Sequence, residues 1–161
     1  MNTYSTELSI EATSDPAIFA KCAAMMASSS PWTTMGISYE QCLLGFGGSW
    51  RETYVVLYQQ KLAGFVVIQP LGSFKGYIQT ICISEEFRGK GFGKHLLHFC
   101  EAKILETSPN VFICVSAFNT GAIKLYQEFG FKLVGELNDF VKTGFTELLL
   151  RKTIGPMLPE G

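Results

Sequence analysis

At 161 residues, 47% apolar and with a formal net charge of −1, the chain has the length and hydrophobic content for one domain with a real core. It gives no electrostatic reason to expect nucleic acid. No run of Lys or Arg points to an anionic membrane surface, no apolar stretch reaches the length of a membrane span, and residues 1–7 lack the basic-then-apolar pattern of a signal peptide.

The elements read as follows. Residues 8–13 form a first strand, and Asp15-Pro16 opens a helix over 17–27, with Pro at a first-turn position. Ser28-Ser29-Ser30-Pro31 breaks it, and residues 38–46 form a second short helix ending at Gly47-Gly48. A hairpin pattern comes next: a strand over 53–59, a turn at Gln60-Lys61, and a strand over 62–69 before Pro70. Residues 74–84 form the fourth strand. The segment 95–106 is amphipathic, and Phe92, Leu96, Leu97, Cys100 and Ile104 share a face at helical period. Residues 111–117 form a compact buried strand. Asn119-Thr120-Gly121 starts a helix with Ala122, Leu125, Tyr126 and Phe129 on its apolar face and Gly130 as its C-terminal cap. Strands over 131–140 and 145–151 follow, separated by Lys142-Thr143-Gly144, and residues 154–161 read as a loose tail. The order β-α-α-β-β-β-α-β-α-β-β is that of a mixed α/β fold, and the absence of repeats or long linkers makes residues 1–161 a single domain.

The five cysteines (Cys22, Cys42, Cys82, Cys100, Cys114) are odd in number, widely spaced and without paired metal-ligand spacing. They read as free buried thiols in a reducing cytoplasm, and no metal is expected. His95 and His98 share a helical face but lack a visible third ligand.

The segment that decides function is Arg88-Gly89-Lys90-Gly91-Phe92-Gly93-Lys94, at a strand-to-helix junction. Alternate glycines let the backbone turn tightly, so several N–H groups can converge at the positive end of a helix, where they hold a phosphate or pyrophosphate. The nucleotide-triphosphate loop does not fit: its first glycine would fall on Arg88 and its hydroxyl residue on His95. The dinucleotide fingerprint fails at its third glycine, which is Lys94.

The segment resembles the acetyl-CoA signature of the GNAT N-acetyltransferase superfamily, Gln/Arg-x-x-Gly-x-Gly/Ala, with Arg88, Gly91 and Gly93 in its defined positions. The block Asn119...Ala122...Leu125-Tyr126...Gly130-Phe131 resembles the superfamily's other cofactor-side motif. The resemblance covers residues 7–152 and is weakest over 14–50.

It implies the GNAT-like acyl-CoA N-acyltransferase fold, a mixed, mostly antiparallel central sheet flanked by helices, with its fourth and fifth strands splayed. Acetyl-CoA would be the cosubstrate. The backbone of Ile81, Cys82 and Ile83 would pair with the pantetheine amides. The N–H groups of Gly89, Lys90, Gly91, Phe92, Gly93 and Lys94 would hold the pyrophosphate. Arg88 would add charge there or cap neighbouring carbonyls. Asn119, with Ala122 beside it, would bond the pantetheine or acetyl end as well as serving as a helix N-cap. Tyr126 would protonate the leaving thiolate.

The implied reaction is direct attack of a neutral amine on the acetyl carbonyl, with both substrates held together and a strand amide near Ile81 stabilising the developing oxyanion. Where several relatives carry a Glu base this chain has Gln79, which cannot be one. Deprotonation would run through water to Glu52, Asp139 or Glu147, or the amine arrives neutral. Each of those carboxylates reads as an ordinary surface residue, and none is assigned. Trp32, Tyr39 and Phe140 would wall a small acceptor, with Glu40 or Asp139 pairing its charge; as an alternative, these aromatics form the edge of a helical core.

The expected function is a cytoplasmic N-acetyltransferase acting on the primary amine of a small molecule or peptide, without nucleic acid or membrane. The alternative is a non-catalytic acyl-CoA-binding or sensing module. The last strands of such domains often pair between subunits, which makes a homodimer the expected assembly.

Overall fold

The computed structural model describes residues 7–160; residues 1–6, most of the segment without a signal-peptide pattern, lie outside it. The element order is β1 Leu8–Thr13, α1 Pro16–Ala27, α2 Trp32–Met35, α3 Tyr39–Leu43, β2 Glu52–Tyr58, β3 Lys61–Gln69, β4 Tyr77–Ile83, a 3-10 turn Glu85–Phe87, α4 Phe92–Ile104, β5 Asn110–Ser116, α5 Thr120–Phe129, β6 Lys132–Asn138 and β7 Thr146–Thr153. A seven-stranded sheet runs β1-β2-β3-β4-β5-β7-β6. The β4–β5 pair is parallel, whereas β1–β2, β2–β3, β5–β7 and β6–β7 are antiparallel. This is the mixed α/β sheet expected from the sequence. The β4–β5 ladder comprises Tyr77↔Phe112 and Ile78↔Ile113, at the start of both strands, as splayed strands require.

The chain forms two compact units, one built on residues up to Ile68 together with Thr80–Leu96, the other on Gln69–Gln79 and the residues from Leu97 onward. In the first unit, Asp15 caps α1 by accepting from the Ala17 N–H at 2.9 Å, with Pro at the first turn. Cys22, Ala23 and Met26 of α1 pack with Cys42 of α3 and with Val55, Phe65, Val67 and Cys82 of the strands. β3 is buried without interruption from Ala63 to Ile68, so it reads as an apolar run rather than an alternation. In the second unit the buried apolar residues are Ile78 of β4, Leu97, Cys100 and Ile104 of α4, Val111, Ile113 and Val115 of β5, Tyr126, Phe131 and Leu150.

Several boundaries differ from the sequence reading. The β2–β3 turn is Gln59-Gln60, both at positive φ (50° and 66°), and Lys61 already pairs with Tyr58. A type I′ two-residue turn, whose twist matches that of the strands, needs both central residues in that region. Residues 32–35 form a one-turn helix closed by Gly36 at φ 67°, an element the sequence reading lacks. Ser38 and Gln41 cap α3 reciprocally, and the helix stops at Leu43 rather than 46. Helix α4 begins at Phe92, three residues before the expected start, which places Gly93 and Lys94 inside it. Among the described residues, no helix is long and apolar enough to cross a membrane.

Candidate active site

β4 ends against β3, where the Ser84 N–H donates to the Ala63 carbonyl at 2.8 Å. A Cβ on Gly64 would stand 2.5 Å from the Cys82 carbonyl oxygen. Residues 82 and 84 therefore direct their backbone groups toward β3. Alternate residues of a strand point their groups to opposite edges, so Ile81 and Ile83 face the other edge. There the Arg88 Nε donates to the Ile83 carbonyl at 3.1 Å. Arg88 is thus a carbonyl cap, one of the two roles foreseen for it.

After the 3-10 turn the chain passes through Gly89 at φ 73° and Gly91 at φ 83°. No heavy atom lies within 4 Å of a Cβ added at either position. Backbone conformation, rather than crowding, is what calls for glycine there. Gly93 lies within α4, so the third glycine is not a turn residue as the alternation suggested. The His95 N–H donates to the Gly91 carbonyl at 3.1 Å. This starts the helical ladder and leaves the N–H groups of Phe92, Gly93 and Lys94 without helical partners. They project with the positive end of the helix, beside exposed Arg88, Lys90 and Lys94.

Phe87 and Phe92, on either side of the turn, are buried and both meet Tyr58, at 5.9 and 5.2 Å between ring centroids. This aromatic brace fixes the two ends of the turn. The sequence reading missed it, because Tyr58 belongs to a strand distant in sequence.

In the second unit, the Asn119 side chain accepts from the Ala122 N–H at 3.3 Å as the cap of α5. Gly130 closes that helix at φ 116°. Tyr126 is buried on the helix, 6.1 Å from the Phe131 ring. Gln79 accepts from the Gln69 side-chain amide at 2.8 Å.

Glu147 corrects an expectation. It is 4% exposed rather than a surface residue, and the Ser116 hydroxyl donates to it at 2.8 Å. Burial pushes its carboxyl up from the ordinary range, and the Ser116 bond partly offsets this. Beside it, Tyr77 and Cys114 share a side-chain hydrogen bond. The signal was present in the alternation of β7, where Glu147 falls in phase with Leu149 on the face opposite Leu150. Asp139 adopts φ 55° and accepts from the Gly144 N–H at 2.7 Å, so it closes the β6–β7 turn. Glu52 accepts from the Tyr54 hydroxyl at 2.7 Å.

Of the aromatics expected around an acceptor, Trp32 packs half-buried against the core of the first unit, and Tyr39 is exposed there. Phe140 lines a cavity of the second unit. The cysteines are free, and all but Cys114 are fully buried. Among the described residues no His, Cys, Asp and Glu cluster could hold a metal. His98 instead meets Phe129 edge to face at 4.8 Å.

No curated protein matches the sequence. The structure is similar to an acetyltransferase from Elizabethkingia anophelis with acetyl-CoA bound (TM-score 0.68, 18% identity, covering 92% of this chain and 99% of that one). It is also similar to NAA60 of Arabidopsis thaliana in complex with a bisubstrate analogue (0.71, 20%, covering 92% and 99%). A third likeness is to an aminoglycoside 6'-acetyltransferase type Ii (0.73, 17%, covering 92% and 98%). These likenesses concern the fold. The sequence itself matches the model of the Acetyltransferase (GNAT) family over residues 15–131. That span contains both β4 with its glycine turn and the capped helix α5, and over it the chain belongs to the GNAT acetyltransferase family.

Proposed function

We propose that the chain, as one domain over its whole length, is an acetyl-CoA-dependent N-acetyltransferase acting on the primary amine of a small molecule or peptide. The observation that carries this is the turn at Gly89 and Gly91, which opens α4 with its first N–H groups aimed outward among Arg88, Lys90 and Lys94. A pyrophosphate fits this cradle by charge, by hydrogen-bond capacity and by the space around both glycines. The cofactor supplies an activated acetyl thioester when bound.

In this reading the backbone of residues 89–94 holds the pyrophosphate, and the outward edge of β4 at Ile81 and Ile83 pairs with the pantetheine amides, with Cys82 between them. Asn119 and Ala122, at the start of α5, contact its acyl end. The acceptor amine attacks the thioester carbonyl, forming the N–C bond as the C–S bond breaks. The Ile81 N–H donates to the oxygen as negative charge develops there. Tyr126 gives its proton to the departing sulfur, and the one proton the amine releases passes to solvent, from which Tyr126 is reprotonated. Gln79, held by Gln69, cannot take that proton. Positioning supplies much of the rate.

The five free thiols suit a reducing cytoplasm. A homodimer would use the edge strand β6, where Leu133 and Val134 are exposed.

Calorimetric titration with acetyl-CoA tests the proposal, with Gly91→Glu as control because it sets an anion where the pyrophosphate belongs. Micromolar-range binding that the substitution abolishes, followed by acetyl-CoA-dependent product formation that weakens in Tyr126→Phe, is the expected result. Binding without turnover of any amine would instead favour a non-catalytic acyl-CoA sensor, the reading to which Gln79 lends weight. No binding by folded protein would overturn both.

A further inference from the structure

A cavity of about 440 Å³ lies within the second unit, lined chiefly by Leu71, Phe74, Tyr77, Phe112, Leu137 and Phe140. The volume is in the range of small-molecule sites, and none of the side chains lining it is charged. Phe74 and Phe112 meet edge to face at 5.2 Å. Leu71, Phe74 and Phe140 are more than half exposed, so apolar surface converges on this one opening without a cover, which is costly in water. The hydroxyl of Tyr77 and the thiol of Cys114 satisfy each other. The other polar side chains of the lining are Gln69, whose amide already donates to Gln79, and Ser73.

The cavity is nonetheless not remote from charge. Cys114 and Leu149, which also line it, are paired across β5 and β7, and the next same-face pair along those strands is Ser116 and Glu147. Tyr77 and Phe112 form the first rung of the β4–β5 ladder, one pair before Ile78 and Ile113, where that ladder ends. A ligand suited to this arrangement has a compact apolar body and a single cationic end. A polyamine or amino sugar would bring further ammonium groups against walls that hold no charged side chain to pair them.

We propose that this cavity receives the acceptor: a primary amine bearing one aryl-sized apolar group, its body among Phe74, Phe112 and Phe140 and its nitrogen turned toward Glu147. The assignment rests on the N-acetyltransferase reading and names its substrate class.

The experiment is titration of 2-phenylethylamine and of spermidine into the protein, with and without saturating acetyl-CoA, alongside initial rates of acetylation. Binding of acetyl-CoA is measured separately on the same samples. Phenylethylamine is expected to bind at least tenfold more tightly than spermidine and to be the better substrate. Phe140→Ala, a change on an exposed turn, should weaken it about tenfold by removing one apolar contact surface. Leu137→Trp, which fills the cavity, should abolish its binding while leaving acetyl-CoA binding intact. Absence of phenylethylamine binding, indifference to both substitutions, or preference for spermidine would overturn the assignment. If acetyl-CoA does not bind but phenylethylamine still does, and Leu137→Trp blocks it, the cavity assignment stands as an amine site and the acetyltransferase reading is what fails.

Discussion

Gly64 and Gly89 are both glycines next to the proposed cofactor strand and turn, and they are glycine for different reasons. At Gly64 an added Cβ would meet the Cys82 carbonyl oxygen at 2.5 Å. The obstacle is strand backbone, which cannot step aside without disturbing the β3–β4 contact. Gly64→Ala is expected to lower stability by about 2 kcal/mol, as overpacking does, read as a lower urea midpoint. Gly89 has open space around it but a φ of 73°. Gly89→Ala should cost only about 1 kcal/mol. Equal losses at the two sites would contradict this distinction. Glu147 poses a different residue-scale problem, an acid buried with one hydroxyl donor. Its carboxyl is raised in the folded state from an ordinary value of 4.5. Below that value both folded and unfolded chains carry it protonated, and it costs nothing. As pH rises, the unfolded chain ionises first, so the native state loses stability relative to a chain without the acid. The groups facing it, Ser116, Tyr77 and Cys114, supply no cation to offset this. Urea melts of wild type and Glu147→Gln from pH 4 to 8 should diverge, with the wild type losing ground as pH rises; parallel curves would mean that the carboxyl is not raised.

At the scale of elements, two helix starts carry the proposed chemistry, and they are built differently. Helix α4 has glycines where α5 has a side-chain cap, Asn119, accepting from Ala122. A capped terminus has already spent part of its hydrogen-bonding capacity, whereas an uncapped one keeps it for a ligand. This suits α4 to an anion, and the proposed reading gives Asn119 a dual task. Asn119→Ala should cost about 1 kcal/mol through the cap, whereas Asn119→Asp keeps the cap. If Asn119 also bonds the cofactor, both variants raise KM for acetyl-CoA, but only the alanine lowers Tm. A KM that follows Tm would reduce Asn119 to a cap. The caps were legible in sequence because they depend on residues within one turn: Asp15 before Pro16, Asn119 ahead of Ala122, Gly130 behind Phe129. The start of α4 is less legible, because alternating glycines suggest a turn through Gly93, whereas helical backbone tolerates glycine at modest cost and α4 takes it in.

At the scale of the whole molecule, the order of elements along the chain and the family were legible because the glycine turn sits between a strand and an amphipathic helix, and that context is local. The Tyr58–Phe87–Phe92 brace, the Ser116–Glu147 bond and the apolar cavity were not, since each joins residues from separate strands or loops, and only tertiary pairing sets those distances. A cofactor held at the turn should reveal itself in the stability of the chain, because a ligand that binds only the native state shifts unfolding by mass action. At a free concentration one hundred times Kd, acetyl-CoA should add about 2.7 kcal/mol. For a chain of this length that corresponds to a rise in Tm of roughly 5–10 °C. Gly91→Glu should start from a lower Tm, since a side chain is strained at φ 83°, yet it should gain nothing from acetyl-CoA. The paired comparison separates lost binding from lost folding, because the variant's own melting transition reports that it is folded. ATP and NAD at matched concentration should leave the wild type within about 1 °C, since a nucleotide phosphate without the pantetheine arm forgoes the β4 edge and its share of affinity. Equal shifts with ATP would mean that the turn recognises phosphate alone and that the outward edge at Ile81 and Ile83 contributes nothing to binding.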